Sequence, residues 1–598
     1  MNDQRDSAGG IERPTGVAPA EPTFGSDVVA ATLRALGIPY VAINPGSSYR
    51  GLHDSLVNFL GNTAPQMLLC LHEEHAIAIA QGYAKVTGRP LAVVVHANVG
   101  LMHATMAIFN AWCDRMPVLV LGATGPVDAA KRRPWIDWIH TARDQGALVR
   151  PYVKWDDQPT SPAATREALL RALWLACTPP MAPVYVNLDA DLQEAPLAEP
   201  LAPIDIERFL PDAPVGISPT QLRRGAELLR GAQRPLFLIG RASRSEDAWN
   251  ARVRLAELLG AGVLTDLKVG AAFPTDHPLH LAAPSVLLTR DAGAAIADAD
   301  VILSLDWVDL GGTLKKACGD RTPTIIHASL DHTLHHGWSM DYQALPPVDI
   351  LFATDADVVV CGLIDELTGP PALTQRASRA VRSRSSAVAS TDGRLRLDDL
   401  ALAFREAAGA RPVSLSHLPL SWNGGVIAFR HPLDFLGSDG GGGIGAGPGI
   451  AIGAALALRD SGRLCVAICG DGDYLMGVTA LWTAVHYRIP LLVIVANNRS
   501  FYNDEVHQAR VATMRSRPVE NKWIGQRIAD PDIDHAALAR AQGAVGYGPV
   551  THSDALVAAL RQAIADVDAG CVAVIDVHIE PGEMPGAAAE AEAKPILR

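Results

Sequence analysis

The 598-residue sequence has no apolar stretch long enough to span a membrane. Its first residues, MNDQRDSAGGIERPTGVAPAEP, lack the apolar core of a signal peptide and include acidic residues. These features predict neither secretion nor import into an organelle. We therefore expect a cytoplasmic protein, with residues 1–24 as a disordered leader.

Cysteine is scarce. The eight cysteines are scattered along the chain, mostly within apolar runs, and none forms a CxxC pair. This distribution is typical of buried thiols in a reducing compartment rather than of a disulfide framework.

Blocks of like charge are also absent, and the formal net charge is −13 at pH 7. An acidic chain of this kind argues against a nucleic acid or an anionic membrane as partner. A small-molecule substrate remains as the expected partner.

Hydrophobic residues make up 48% of the sequence, and they form short apolar runs that alternate with segments of helical spacing. Alternation of this kind predicts parallel sheets with helices on both faces, and the length predicts several domains. We predict three doubly wound α/β domains with two linkers and a tail: residues 25–190, linker 191–219, residues 220–368, linker 369–394, residues 395–580, and tail 581–598. The predicted strands of the second domain include Val301 to Leu305, Thr324 to Ala328 and Val358 to Cys361, and a helix over Leu397 to Ala408 opens the third.

The most informative stretch runs from Leu464 to Asn498. Two buried strands with a helix over Tyr474 to His486 between them predict a crossover unit, in which Asp471 and Asn498 end neighbouring strands at one sheet edge. Carboxylate and carboxamide oxygens suit Mg²⁺, which usually completes its shell with phosphates. We predict Asp471, Asn498 and a backbone carbonyl near Ser500 as metal ligands.

GDG followed by the second asparagine of a pair, 27 positions after Asp471, resembles the thiamine diphosphate (ThDP) motif of the acetolactate synthase and benzoylformate decarboxylase superfamily. The resemblance implies pyrimidine-binding, middle and diphosphate-binding domains, in that order. It also implies a set of cofactor-binding residues: Gly443, Ile444, Gly445, Gly470, Asp471, Gly472, Asp473 and Asn498. Ile444 aligns with the bulky apolar residue that holds ThDP in its bent conformation.

The segment LHEEHAIAIAQGYAKVTGRP is similar to the one that carries the superfamily's catalytic glutamate, and Glu73 occupies that place. On the sequence alone, a solvated carboxylate in the first turn of a helix is the alternative, and it fits Glu74 equally well. In the family this carboxyl hydrogen-bonds the cofactor's aminopyrimidine ring and so promotes formation of the reactive carbanion.

NPGSS and VHANVG resemble two active-site loops of benzoylformate decarboxylase, which gives substrate-contacting roles to Ser47 and His96. A histidine that simply ends a strand in the core is the alternative for His96. His103 departs from the pattern, because the family commonly has asparagine there.

Some relatives hold FAD in the middle domain. The Gly-x-Arg-Phe-Asp-Asp run associated with FAD is replaced here by LSLDWVDLGG, so FAD is not expected. The histidines of the second domain, His327, His332, His335 and His336, predict a polar loop rather than a metal site. Trp135, Trp138 and Trp155 predict an interface or a domain-linking surface.

The resemblance implies a ThDP- and Mg²⁺-dependent enzyme that decarboxylates a 2-oxo acid without oxidation, with aldehyde release or carboligation. A 2-hydroxyacyl-CoA lyase or carboligase, with the C-terminal tail as a lid, is an alternative. A ThDP-binding regulatory subunit is a third possibility. The family places the cofactor between subunits, which implies a homodimer or a homotetramer.

Overall fold

We describe the chain from a computed structural model. The structure describes residues 12–16, 19, 21–210, 216–319, 321, 323–334, 345–369, 393–582 and 585. Three parallel sheets with flanking helices confirm the predicted α/β class.

The first sheet has the strand order β2-β1-β3-β4-β6-β5. Its strands are β1 Tyr40–Ile43, β2 Gln66–Leu69, β3 Ala92–Val94, β4 Leu119–Thr124, β5 Asp156–Asp157 and β6 Val184–Asp189. The accompanying helices are α1 Gly25–Ala35, α2 Arg50–Asp54, α3 Glu73–Thr87, α4 Ala97–Cys113, α5 Ile136–Ile139, α6 Pro162–Cys177 and α7 Ala190–Glu194. Ala92 and Val94 face one core cluster while Val93 faces the other, so this sheet is covered on both sides.

The second sheet has the order β11-β10-β9-β7-β8. Its strands are β7 Pro235–Ile239, β8 Gly262–Leu264, β9 Val301–Leu305, β10 Thr324–Ala328 and β11 Ile350–Phe352. Its helices are α8 Pro219–Gly231, α9 Glu246–Leu259, α10 Arg290–Asp298, α11 Leu310–Cys318 and α12 Ala356–Thr368.

The third sheet has the order β12-β13-β14-β16-β15. Its strands are β12 Val413–His417, β13 Leu464–Gly470, β14 Leu491–Asn497, β15 Val545–Val550 and β16 Val572–His578. Its helices are α13 Leu397–Ala408, α14 Gly447–Ala457, α15 Asp471–Gly477, α16 Ala480–His486, α17 Tyr502–Met514, α18 His535–Ala541 and α19 Ser553–Asp568.

One predicted strand is wrong. Val358 to Cys361 lies inside helix α12, and the edge strand is β11, a few residues earlier. The Asp355 carboxylate accepts a hydrogen bond from the Asp357 N–H and so caps the helix. Four consecutive apolar residues fit a buried helix as well as a strand, and the cap decides between them.

The predicted helix over Tyr474 to His486 is divided into α15 and α16. The break follows Gly477, where an added Cβ would overlap the carbonyl oxygen of Gly445 in the glycine-rich loop. The chain bends where it contacts that loop. The helix predicted over Leu397 to Ala408 is confirmed as α13.

Parts of the expected leader, linkers and tail lie outside the described residues, as do His335 and His336. Within the expected leader, the Glu12 carboxylate accepts a hydrogen bond of 3.0 Å from the Tyr487 hydroxyl. In the part of the chain that the structure covers, every helix is too short or too polar to cross a bilayer.

Helices α3 and α14 bring the first and third domains together at their backbones. An added Cβ at Gly82 would overlap the Ile450 carbonyl oxygen, and one at Gly453 would overlap the Ile79 carbonyl oxygen. Glycine is needed at both places for this approach. The two domains consequently share one hydrophobic core.

Arg244 ties all three domains together. Its guanidinium donates to carbonyl oxygens of Lys85 in the first domain, Ala271 in the second, and Pro432 and Leu436 in the third, at 3.1–3.4 Å. Each of these bonds has a charged donor and so exceeds a neutral hydrogen bond in strength.

We predict that Arg244→Met destabilises the protein, because it leaves these carbonyl oxygens without their donor. A hydrogen bond to a charged group contributes about 1.5–3 kcal/mol. Thermal unfolding monitored by circular dichroism should show a midpoint lowered by several degrees. Arg254→Met, at an exposed position of α9, is the control and should leave the midpoint unchanged.

Candidate active site

The first half of the candidate site lies at the carboxyl edge of the first sheet. Strands β2, β1 and β3 are neighbours there, and the residues after them carry His72 and Glu73, Ser47 and Ser48, and His96. This edge is where parallel sheets bind ligands.

His96 is held by Ser48, which the sequence did not single out. The Ser48 Oγ lies 2.7 Å from His96 Nδ1 and accepts a hydrogen bond from the Ala97 N–H. Because its own proton is then free for Nδ1, the Ser48 hydroxyl favours the His96 tautomer with the proton on Nε2. Ser47, the predicted substrate contact, is exposed beside this pair.

Packing around His96 is tight. A Cβ at Gly46 would overlap the Cβ and Cγ of His96, and the His140 ring centroid lies 4.4 Å from that of His96. Burial, and secondarily His140, lower the pKa of His96, while Glu73 opposes the shift. His96 is therefore neutral near pH 7, and in the tautomer that Ser48 favours its Nε2 carries a proton that it can donate.

Glu73 is the first residue of α3, and only 6% of it is exposed, whereas Glu74 is partly exposed. Its carboxylate lies between Gly100, where an added Cβ would be 2.9 Å from Oε1, and His103, whose Nδ1 is 3.2 Å from Oε2. Burial beside His96 distinguishes Glu73 from its neighbour and supports the choice made from the sequence.

The second half of the candidate site lies at the carboxyl edge of the third sheet. Asp471 follows β13 and Asn498 follows β14, and these strands are neighbours. Asp471 is 2% exposed, and its Oδ2 has no hydrogen-bond partner among the described residues. Burial, and then the charge of Asp576, raise the pKa of Asp471 to about 6.

This donor set fits a hard divalent cation. A buried carboxylate oxygen without a partner is costly unless a cation is bound to it. The Asn498 Oδ1 accepts from the Ser500 N–H at 2.9 Å and retains a second lone pair.

A cavity of about 200 Å³ joins the predicted cofactor-binding residues. Its lining includes Gly470, Asp471, Gly472, Asp473, Asn498, Ser500 and Ile444, which lies between Gly443 and Gly445. Lining residues that the sequence did not single out include His417, Ser438 and Arg510. Among the residues after Asn498, Phe501 and Tyr502 line the cavity, whereas His507 is exposed and Glu505 accepts a hydrogen bond from Ser500.

Asp473 holds the glycine-rich loop. Its Oδ1 accepts from the Gly445 N–H at 2.6 Å, and its Oδ2 lies 3.1 Å from His417 Nε2. Against the effect of burial, the charge of Asp473 raises the pKa of His417, and that of His417 lowers the pKa of Asp473. The two groups form a buried ion pair, and no local sequence signal links them.

Polar side chains of the first domain grip the same loop from the other side. The Lys85 ammonium, in a buried ion pair with Asp114, donates to the Ser438 carbonyl oxygen at 2.6 Å. The Asn110 Oδ1 accepts from the Gly441 N–H at 3.2 Å. These partners are more than 300 residues apart in sequence, which is why the sequence did not reveal them.

A cavity of about 490 Å³ lies between the first and second domains. Asp331 on its wall forms ion pairs with Arg115 of the first domain at 2.7 Å and with Arg241 at 2.8 Å. Arg241 also pairs with Asp306 at 3.3 Å, so two carboxylates balance the two guanidinium groups on this wall.

The segment with the predicted interface tryptophans is ordered and packs beside His96. The Asn98 amide donates to the Ile139 carbonyl oxygen at 3.1 Å. Trp135 and Trp138 are 69% and 78% exposed, whereas Trp155 packs against the core of the first domain.

Among the described residues, the 200 Å³ cavity is lined by only one of the two halves of the candidate site. Every described residue that lines the 200 Å³ cavity belongs to residues 417–582, and neither Glu73 nor His96 is among them. The volume is below the range of about 300–1,000 Å³ that is usual for small-molecule sites.

Three family models match the chain in domain order. They describe a thiamine pyrophosphate enzyme N-terminal TPP binding domain at residues 24–148, a central domain at 222–336, and a C-terminal TPP binding domain at 420–577. Each candidate half lies within a matched TPP binding domain.

Relatives match over nearly the whole length. Benzoylformate decarboxylase of Pseudomonas aeruginosa is 26% identical, over 92% of this chain and 98% of its own. Acetolactate synthase isozyme 3 large subunit of Escherichia coli is 24% identical, over 94% of this chain and 95% of its own.

Solved structures share the fold. A thiamine diphosphate-dependent 4-hydroxybenzoylformate decarboxylase from Rhodococcus jostii RHA1 gives a TM-score of 0.75 at 23% identity, covering 94% of this chain and 100% of that chain. A benzoylformate decarboxylase from Polynucleobacter necessarius gives a TM-score of 0.76 at 21% identity, and the match covers the same shares of the two chains.

We predict that Asp471→Asn weakens binding of ThDP in the presence of Mg²⁺ by about 100-fold, because it removes the anionic oxygen that a cation needs. Isothermal titration calorimetry measures the dissociation constant. Asp460→Asn, at an exposed position beyond α14, is the control and should bind normally. Equal affinity of Asp471→Asn and the control would exclude Asp471 as a metal ligand.

Proposed function

Because the chain belongs to the thiamine diphosphate-dependent enzymes of the acetolactate synthase and benzoylformate decarboxylase superfamily, we propose that it decarboxylates a 2-oxo acid without oxidation. The products are CO₂ and an aldehyde, or CO₂ and a carboligation product when a second carbonyl compound is present. ThDP and Mg²⁺ are the proposed cofactors.

One observation carries the proposal. The orphaned Asp471 oxygen, the Asn498 carboxamide and the Ile444 side chain all lie on one cavity at the edge of the third sheet. A metal-binding edge next to a glycine-rich loop and the N-terminus of α14 suits a magnesium diphosphate.

ThDP, when bound, would supply a nucleophilic carbon and an electron sink for the electron pair that remains on the substrate when CO₂ leaves. Asp471, Asn498 and the Ser500 carbonyl oxygen hold Mg²⁺ in this proposal. In this proposal Gly443, Gly445, Gly470 and Gly472, with Asp473 and Ile444, form the surroundings of the diphosphate and the ring system. The N–H groups of Gly443 and Gly445 already donate to Asn110 and Asp473, so these two glycines shape the loop.

The first domain moves the protons. Glu73, buried at the start of α3, binds the pyrimidine nitrogen of the cofactor through its carboxyl group. His96, held by Ser48, delivers a proton from Nε2 to the product, and the exposed Ser47 contacts the substrate carboxylate. Because relatives carry the name benzoylformate decarboxylase, we propose an aromatic 2-oxo acid as the substrate of this protein.

The first test is CO₂ release from the protein reconstituted with ThDP and Mg²⁺, with benzoylformate and pyruvate as substrates and the product identified by mass. We expect benzaldehyde from benzoylformate. Acetolactate from pyruvate would indicate a synthase. No CO₂ from either substrate, with ThDP bound, would contradict the proposal and favour the acyl-CoA lyase, which competition by free CoA detects.

Glu73→Gln should lower the rate of CO₂ release by at least about 100-fold, because the amide cannot exchange a proton with the cofactor ring. Binding of ThDP should stay within a few-fold of the wild type. Glu74→Gln is the matched control and should retain most of the rate. A near-normal rate for Glu73→Gln would remove this residue from the mechanism.

We propose a homodimer or a homotetramer in which Glu73 and His96 of one subunit face the cavity of another. Support comes from the separation of the two halves within one chain. The exposed Trp135 and Trp138 beside His96 supply the aromatic side chains that are enriched in such interfaces.

A complementation test follows from this arrangement. At a ThDP concentration too low to load the Asp471→Asn chain, each variant alone should have little activity, but a mixed dimer contains one site with both residues intact. Subunits exchanged at equal amounts should recover about a quarter of the wild-type activity, the statistical expectation. Zero recovery in exchanged mixtures would mean that each site is built from one chain.

We propose a cytoplasmic location. All eight cysteines are free, and Cys70, Cys113, Cys465 and Cys469 are buried. Free thiols in this number suit a reducing compartment.

A further inference from the structure

We propose that His103 is a positioning residue for Glu73, holding one carboxylate oxygen so that the other faces the cofactor. The inference rests on the proposed role of Glu73 toward ThDP. It concerns the position at which this chain departs from the family's usual asparagine.

The contact is direct. His103 Nδ1 lies 3.2 Å from Glu73 Oε2, while the other oxygen, Oε1, lies over Gly100. The two oxygens therefore have different surroundings. With Oε2 engaged by His103, Oε1 is the oxygen that can meet the pyrimidine nitrogen.

Helical spacing brings the partners together. His96 is the N-cap of α4, and Gly100 and His103 follow it on the helix at intervals of four and three residues. Gly100 and His103 therefore share the face that meets Glu73. The absence of a side chain at Gly100 lets Glu73 approach that face. His103 contacts Glu73 from the same face, one helical turn after Gly100.

A second histidine orients the His103 ring. The rings of His72 and His103 are stacked, with centroids 4.9 Å apart and an interplanar angle of 16°. The His72 Nδ1 accepts from the Glu74 N–H at 3.1 Å and so caps α3. Burial, and then His103, lower the pKa of His72, although Glu73 opposes them, so His72 stays neutral and keeps the cap.

The His103 side chain is 54% exposed, and a histidine with that exposure would otherwise sample several rotamers. The His72 ring on one side and the Glu73 carboxylate on the other hold the His103 side chain in one rotamer. An imidazole can donate from Nδ1 to a carboxylate or, as the other tautomer, accept from a carboxylic acid. The hydrogen bond therefore survives both protonation states of Glu73.

A matched pair of variants tests the proposal. Asparagine places an N–H donor where His103 has Nδ1. Leucine has nearly the same shape as asparagine but has no hydrogen-bond donor. We compare His103→Leu and His103→Asn with the wild type, and use His53→Ala, an exposed histidine of α2, as the control.

The main readout is the rate at which the reactive C2 proton of bound ThDP exchanges with D₂O, measured by acid quench and NMR. This step precedes any substrate, so it is independent of substrate identity. We expect His103→Leu to slow exchange by about tenfold or more and His103→Asn to restore at least half of the rate. Calorimetry on the cofactor-free variants should give ThDP dissociation constants within about threefold of the wild type, because His103 acts through Glu73.

Equal exchange rates in His103→Leu and the wild type would overturn the proposal. Equal slowing in His103→Leu and His103→Asn would also overturn it, because the histidine ring would then act only through its packing and not through its hydrogen bond. Glu73→Gln, run in parallel, separates this failure from failure of the proposed function. Normal exchange in Glu73→Gln would overturn the role of Glu73 itself. Slow exchange in Glu73→Gln with no further loss in the Glu73→Gln, His103→Leu double variant supports action through Glu73.

Discussion

The backbone contact between α3 and α14 is the constraint on which the rest of the structure depends. Side chains at Gly82 and Gly453 would overlap carbonyl oxygens of the opposite helix, so the helices meet at a distance that only glycine allows. Glu73 begins α3, and the loop with Ile444 leads directly into α14. Any separation of this pair would therefore displace both the Glu73 carboxyl group and the glycine-rich loop, in addition to opening the shared core.

Polar contacts convert that packing into a defined loop shape. Lys85 at the far end of α3 and Asn110 on α4 hold the glycine-rich loop by its backbone, and Asp473 holds it from the third domain. A glycine-rich segment has high conformational entropy, and these hydrogen bonds compensate for the cost of ordering it. In the proposed dimer, α3 serves two sites, because its first residue enters one of them while Lys85 shapes the loop of the other.

Two aspartates of one short segment illustrate how surroundings set chemical roles. Asp471 is buried with an oxygen that lacks a partner, and its pKa is raised, whereas Asp473 is paired with His417, and its pKa is lowered. The first is prepared for a cation, and the second is already neutralised by protein. The histidines near Glu73 follow the same logic, since burial keeps His72 and His96 neutral.

The sequence by itself determined the fold class and the order of the domains, and it proposed the candidate half-sites around Asp471 and Glu73. Their signals are local: short apolar runs, turns at strand ends, and motifs of fixed spacing. The same local patterns left a four-residue apolar run between Val358 and Cys361 ambiguous, and the Asp355 cap made it a helix. Only the tertiary structure decided that Ser48 holds His96, that His103 reaches Glu73 and that His417 pairs with Asp473. These partners are 30 to 56 residues apart in sequence, and their contacts arise only when neighbouring strands and helices bring distant loops to one edge.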